Sequence, residues 1–218
     1  VEEVCDKLLT EAEPFDIVRA YDDEDEPKEV NEKRSICYLD VSKPIFSIGI
    51  KDMDISSDPR ERTKKAYGIE ILDEMLFSQS TKFYNDLYEE NLIAQELSSG
   101  CEHTKYCSFN TISSESNDPE RVYSLFVEYI ENTKKQGLSR EDFELAKRTV
   151  YASHSKSFDS VENIGDNFIY NLFDGCDIFD TSEAINSISF EYVTELLNNL
   201  FKEEYYAMSI VYPTEKEN

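Results

Sequence analysis

Apolar positions along the chain switch between a period of two and a period near 3.6, and the switches mark the elements. Residues 36–41 and 45–51 read as strands on either side of Pro44, the second placing Phe46, Ile48 and Ile50 on one face. Asp58-Pro59-Arg60-Glu61 combines a capping carboxylate, a proline at the first helical position and an acid in the first turn, so a helix starts there. It is predicted to run to about residue 77 with Ile69, Leu72 and Leu76 facing inward. Ser80 reads as the cap of a second helix carrying Phe83, Tyr84, Leu87 and Tyr88, and two strands follow at 95–101 and 106–112, joined by a turn around His103. Asp118-Pro119 repeats the capped start for a helix that carries Val122, Leu125, Phe126, Tyr129 and Ile130 and stops at Gly137. Ser139 opens the next, with Phe143, Ala146 and Val150. After a break near Asp159 comes a helix with the stripe Ile164, Phe168 and Leu172. Ser189 begins a final helix with Val193, Leu196, Leu197 and Leu200, and residues 207–212 form a closing strand. A short helix and an acidic connector over residues 11–33 precede all of this.

Strands and helices in this order, with hairpin-length links, predict an α+β fold: an antiparallel or mixed sheet covered by helices. At 218 residues, one domain spanning 1–218 is the expectation.

Charge narrows the partners. Asp and Glu number 47 against 22 Lys and Arg, and a net charge of -25 repels a phosphate backbone, which excludes nucleic acid as the expected partner. An acidic wall for basic peptides and a merely solvated acidic surface both fit the same number. No apolar run reaches the roughly 18 residues that span a bilayer, so no membrane partner is expected. The five cysteines at 5, 37, 101, 107 and 176 are odd in number and scattered, which fits a reducing cytoplasm better than a disulfide scaffold. The chain opens on Val1 with no leader-like segment, and is expected to have been cut from a longer protein.

Motifs for chemistry are mostly missing. A zinc hydrolase helix needs two histidines four apart beside a glutamate, and the only histidines, His103 and His154, have no such partner. Cys101, His103 and Cys107 lie close in sequence but without a knuckle spacing. They read as ordinary thiols beside an exposed turn histidine. His154 reads as a solvent-facing imidazole near a helix end. There is no G-x-S-x-G elbow and no glycine-rich phosphate loop, and pairs such as Glu89-Glu90 read as a solvated helix face.

Residues 80–95, Ser-Thr-Lys-Phe-Tyr-Asn-Asp-Leu-Tyr-Glu-Glu-Asn-Leu-Ile-Ala-Gln, resemble a segment of the pitrilysin/insulinase-type zinc peptidases, a family that includes mitochondrial processing peptidase. The run Gly137-Leu138-Ser139-Arg140-Glu141-Asp142-Phe143-Glu144-Leu145-Ala146-Lys147 resembles that family's helix start, and the strands at 43–51 and 207–212 fall where its sheet lies. The resemblance implies the C-terminal, zinc-free domain of a bacterial two-domain subunit. No cofactor is then expected in this chain, and zinc belongs to the N-terminal domain of the parent. The implied function is a non-catalytic chamber wall that binds peptide and pairs with that zinc domain and with a homologous subunit. A catalytically dead scaffold of the same fold is the alternative. In catalytic members this domain supplies an Arg and a Tyr seven residues apart to the oxyanion, and the resemblance puts Tyr88 and Gln95 at those positions. No catalytic residue is therefore expected here. Tyr84, Tyr88 and Gln95 are the candidate peptide-binding residues, with helix core the competing reading for the two tyrosines.

Overall fold

The computed structural model describes residues 2–8, 27 and 29–214. It is the mixed α+β fold that the pattern predicts: five strands and eight helices among the described residues. Strands β1 (Arg34–Leu39), β2 (Ile45–Lys51), β3 (Ser98–His103), β4 (Ser108–Glu115) and β5 (Tyr206–Pro213) form one sheet in the order β1-β5-β2-β4-β3. β1 runs parallel to β5, and every other pairing is antiparallel. A short helix α1 (Glu2–Leu8) comes first, its described side chains exposed, and most of the acidic connector lies outside the described residues.

One face of the sheet is dry. Phe46, Ile48 and Ile50 are fully buried and alternate with half-exposed neighbours, the period-two signature of a strand covered on one side. Ile48 lies opposite Ile112 on β4 and Met208 on β5, so the register stacks apolar rows across the sheet. Over that face lies α2 (Pro59–Phe77), capped by Asp58, whose side chain accepts from Arg60 N at 2.9 Å. Its residues Ile69, Leu72 and Leu76 are buried, as their spacing predicts. At Gly68 a Cβ would come 2.7 Å from Leu196 Cδ1 and 2.9 Å from the Tyr192 ring, so the missing side chain is what lets the helix carrying them close onto α2.

The other helices are α3 (Lys82–Glu89), α4 (Pro119–Gln136), α5 (Arg140–Ser157), α6 (Val161–Asp174), α7 (Asp180–Ser187) and α8 (Phe190–Leu200). An aromatic cluster joins several of them: Phe77 and Phe83 pack on Phe126, which also meets Phe201 and Tyr206. Among the described residues no helix is long and apolar enough to cross a membrane.

Several expectations shift. Thr81, not Ser80, caps α3, because its Oγ1 is the one in reach of Tyr84 N. The hairpin turn is 104–107 rather than around His103, held by Thr104 N donating to Cys107 O at 2.9 Å. The stripe Ile164, Phe168 and Leu172 does form a helix, α6, but that helix buries no residue at all. Its apolar face looks outward, and Val161, Phe168, Phe173 and nearby Phe179 are all more than half exposed. α7 has no counterpart in the expectations. β1 is the other exception to simple layering: it is an edge strand with Ile36, Tyr38 and Leu39 exposed.

Candidate functional site

The candidate peptide-binding residues sit on and after α3. Phe83 and Leu87 turn into the core, which leaves Tyr84 half-buried and Tyr88 56% exposed one turn later on the outer side. The two tyrosine rings stack at 6.2 Å with 14° between planes, so they form one aromatic ledge. Gln95 lies beyond the helix in an exposed loop and donates from Nε2 to Glu115 at 3.3 Å. Among the described residues no hydrogen bond joins Gln95 to the tyrosine ledge. The helix-core reading of the two tyrosines describes Tyr84 in part, since it packs half-buried against the core, whereas Tyr88 stands exposed.

A second group of polar residues gathers at the other end of the hairpin, under α2. Asp52, just past β2, accepts from Lys65 Nζ at 2.9 Å and from Ser108 Oγ at 2.8 Å. Because Ser108 spends its single proton on Asp52, its oxygen accepts from His103 Nδ1. That fixes His103 as the Nδ1–H tautomer and leaves Nε2 with a bare lone pair. The imidazole is only 1% exposed, and Nε2 has no protein partner. Burial pushes its pKa below the ordinary value, with Asp52 opposing, so it is neutral around pH 7. The expected exposed turn histidine is in fact a buried strand-end residue. The turn begins one residue after it.

This group borders a cleft of about 350 Å³ between α2, β3 and α6. Arg62, Glu70 and Asp73 come from α2, Ser99, Cys101 and His103 from β3, and Asn167, Tyr170 and Asp174 from α6. Arg62 is 3% exposed and donates from Nη2 to Asp174 Oδ1 at 2.8 Å and from Nη1 to Ser56 O and Ser57 O, while its Nε has no partner. Asp73 is buried and accepts from Asn110 Nδ2 at 2.8 Å. Burial pushes its carboxyl up to about 8, and Glu70 adds to the rise. Burial likewise raises Glu70 and the Cys101 thiol. A neighbouring depression of about 450 Å³ shares Asp73 and Ser99 with the cleft and continues past Glu96 and Leu97. The two hollows therefore follow β3, whose outer edge pairs with no strand among the described residues.

Sequence reading missed this group. One signal was available: Lys65 and Asp73 fall on the same face as Ile69, Leu72 and Leu76, and a charged residue on an apolar stripe is a buried charge.

The chain does not supply a histidine zinc site. His154 is not solvent-facing but half-buried, with its ring edge-on to Phe158 at 5.2 Å and to Tyr67 at 5.8 Å. His103 is committed to Ser108 on a different element, so the two do not converge. Among the described residues no group of three or more His, Cys, Asp or Glu is placed to hold a metal ion.

A family model described as the peptidase M16 inactive domain matches residues 1–150. No curated protein matches the chain. Among solved structures, a protein described as an M16-like peptidase from Alicyclobacillus acidocaldarius aligns with a TM-score of 0.79 at 17% identity, over 86% of this chain and 45% of that one. A protease from Helicobacter pylori aligns with a TM-score of 0.73 at 15% identity, over 97% of this chain and 51% of its own. A structure described as the inactive peptidase domain of a zinc protease from Bordetella parapertussis aligns with a TM-score of 0.68 at 13% identity, over 83% of this chain and 97% of that domain. The chain therefore spans about half the length of the first two and nearly all of the third. At these identities the structural likeness establishes the fold.

Proposed function

Since the chain belongs to the family of peptidase M16 inactive domains, as the resemblance to the zinc-free half of pitrilysin-type peptidases implies, we propose that it is a substrate-chamber wall. In this reading it binds peptide without cleaving it. It pairs with a zinc-bearing N-terminal domain of the same parent and with a homologous subunit, which supplies the Arg and Tyr that Tyr88 and Gln95 replace. Hydrolysis by zinc needs donors aimed at the developing oxyanion, and losing one costs on the order of a hundredfold or more in rate. A tyrosine hydroxyl at residue 88 offers no cation for that task.

The observation that carries the peptide part is the free edge of β3. Its residues Ser98, Ser99 and Gly100 are small and exposed, two hollows run beside it, and an added strand could hydrogen-bond along it. The Tyr84–Tyr88 ledge offers the flat apolar contact that such a peptide would meet at α3. The net charge of -25 favours basic segments. The five free, scattered thiols support a cytoplasmic setting.

The test is a nuclear magnetic resonance titration of the 218-residue chain with an unstructured basic peptide. Amide shifts should move at residues 98–103 and around Tyr88, and Tyr88→Ala should weaken the affinity by about fivefold, a loss of ~1 kcal/mol. Absence of any saturable shift along β3 would leave the scaffold reading in its place.

A further inference from the structure

We propose that the outer face of α6 is a docking surface for a partner protein, which covers it with an amphipathic helix whose apolar stripe is edged by Lys and Arg. The proposal does not rest on the chamber-wall reading.

The first observation is the way α6 is turned. An amphipathic helix on a folded domain sets its apolar stripe against the core and its polar side toward water. α6 does the reverse. Its half-buried positions include Asn167, Asn171 and Asp174, which share its inner side at helical spacing and tie it to the chain through polar bonds. Asn167 Nδ2 donates to Ser157 Oγ at 3.3 Å, and Asp174 accepts from Arg62 Nη2 at 2.8 Å. The outer side carries Val161, Phe168, Ile169, Leu172 and Phe173, all exposed, with Val161 at 86% and Phe173 at 84%. At about 200 Å² for a fully exposed large side chain, they present roughly 650 Å². That exceeds the ~300–600 Å² of the largest apolar patch on a typical monomer and approaches the ~800 Å² that one side of a standard interface covers.

The second observation is Gly165. It lies mid-helix on the same outer side, where glycine weakens a helix relative to alanine. A Cβ added there meets nothing within 4 Å, so no contact inside the chain calls for a bare backbone. The chain uses that device at Gly68, where α8 closes onto α2. Gly165 is the same notch facing outward, and a crossing helix can approach most closely where the side chain at the contact is smallest.

The third observation is charge, and it selects the occupant. α6 carries Glu162, Asp166 and Asp174 but no Lys or Arg. Asp174 is matched by Arg62, whereas Glu162 and Asp166 stand exposed with no ion pair among the described residues. A second copy laid across Gly165 would bring these acids of both chains together, each chain already at -25. A partner helix with Lys or Arg beside its stripe complements them.

The test is a titration of the whole chain with a helical peptide of about 18 residues, leucines at helical spacing edged by lysines. One control replaces the lysines by glutamates, and another scrambles the order so that the stripe is lost. Only the lysine-edged helix is expected to bind saturably, and it should slow hydrogen exchange at residues 161–173. Phe168→Asp, at an exposed position outside the core, should weaken binding at least about tenfold. Gly165→Leu separates docking from mere stickiness. It enlarges the apolar patch and favours the helix, so the melting temperature should not fall, yet by filling the crossing point it should weaken binding about tenfold. The proposal is overturned if the lysine-edged peptide does not bind saturably, if either control binds equally well, or if Gly165→Leu binds as tightly as the original chain. It is also overturned if light scattering shows the chain alone to be a dimer that Phe168→Asp dissociates, which gives the face to a second copy.

Discussion

Burial raises the Asp73 carboxyl from an ordinary 3.8 to about 8, and this has a definite effect on stability. Between those values the folded chain holds a proton that the unfolded chain has released, so the native state is increasingly penalised as pH rises from about 4 to 8, and the penalty is constant above. Asp73→Asn keeps an oxygen for the Asn110 amide to donate to and removes the titration. It should raise the melting temperature at pH 8 by about 3 °C or more, with little change near pH 4. Thermal scans at both pH values check it, and an equal shift at both would refute the assignment. Lys65 works in the opposite sense. Lys65→Met leaves Asp52 buried without its cation, so stability should fall by about 3–5 kcal/mol, measured by urea unfolding. The inward residues Ile69, Leu72 and Leu76 were legible from their spacing because burial of apolar side chains is what spacing reports. Asp73 and Lys65 share that face, and reading them as core required trusting the period over the charge. His103 was misread for a different reason: its burial depends on Asp52 and Ser108, partners that lie 51 and 5 residues away and have no local signature.

Elements were legible wherever a cap and a stripe coincide. Asp58, Asp118, Ser139 and Ser189 each accept from the first turn of their helices, as their places in the sequence predict, and Ser160, which reads in the sequence only as part of a break near Asp159, does the same for α6. α7 lacked both signals, since Phe179 offers no capping side chain and only Thr181 and Ile185 are buried. A stripe predicts that a helix has an apolar face, but not that the same chain covers it, and α6 shows the difference. Its ties to the rest include the Arg62–Asp174 ion pair and the 3.3 Å bond from Asn167 Nδ2 to Ser157 Oγ. With no buried residue, α6 should open without the rest of the fold. Amides of residues 165–172 are expected to exchange with solvent at least about a hundredfold faster than those of residues 66–76 in α2, and equal protection would show that α6 belongs to the cooperative core.

At the scale of the whole molecule, the mixed sheet could be anticipated from the mix of elements, but its strand order could not. β5 lies between β1 and β2, so the last strand is central rather than terminal. It also contributes Tyr206, Met208 and Ile210 to the core. A chain ending at residue 205 should lose its cooperative melt altogether, whereas one ending at residue 214 should keep it, as circular dichroism on heating would show. The same arrangement sets a timetable for synthesis. β1 pairs through Arg34 with Met208, 174 residues later, and among the described residues no other strand pairs with it. At about 5–20 residues per second, β1 leaves the ribosome roughly 10–35 s before the strand that must lie beside it has been made. Throughout that interval Ile36, Tyr38 and Leu39 sit on a strand that lacks its β5 partner, so the nascent chain carries a sticky segment that only the emergence of β5 can retire.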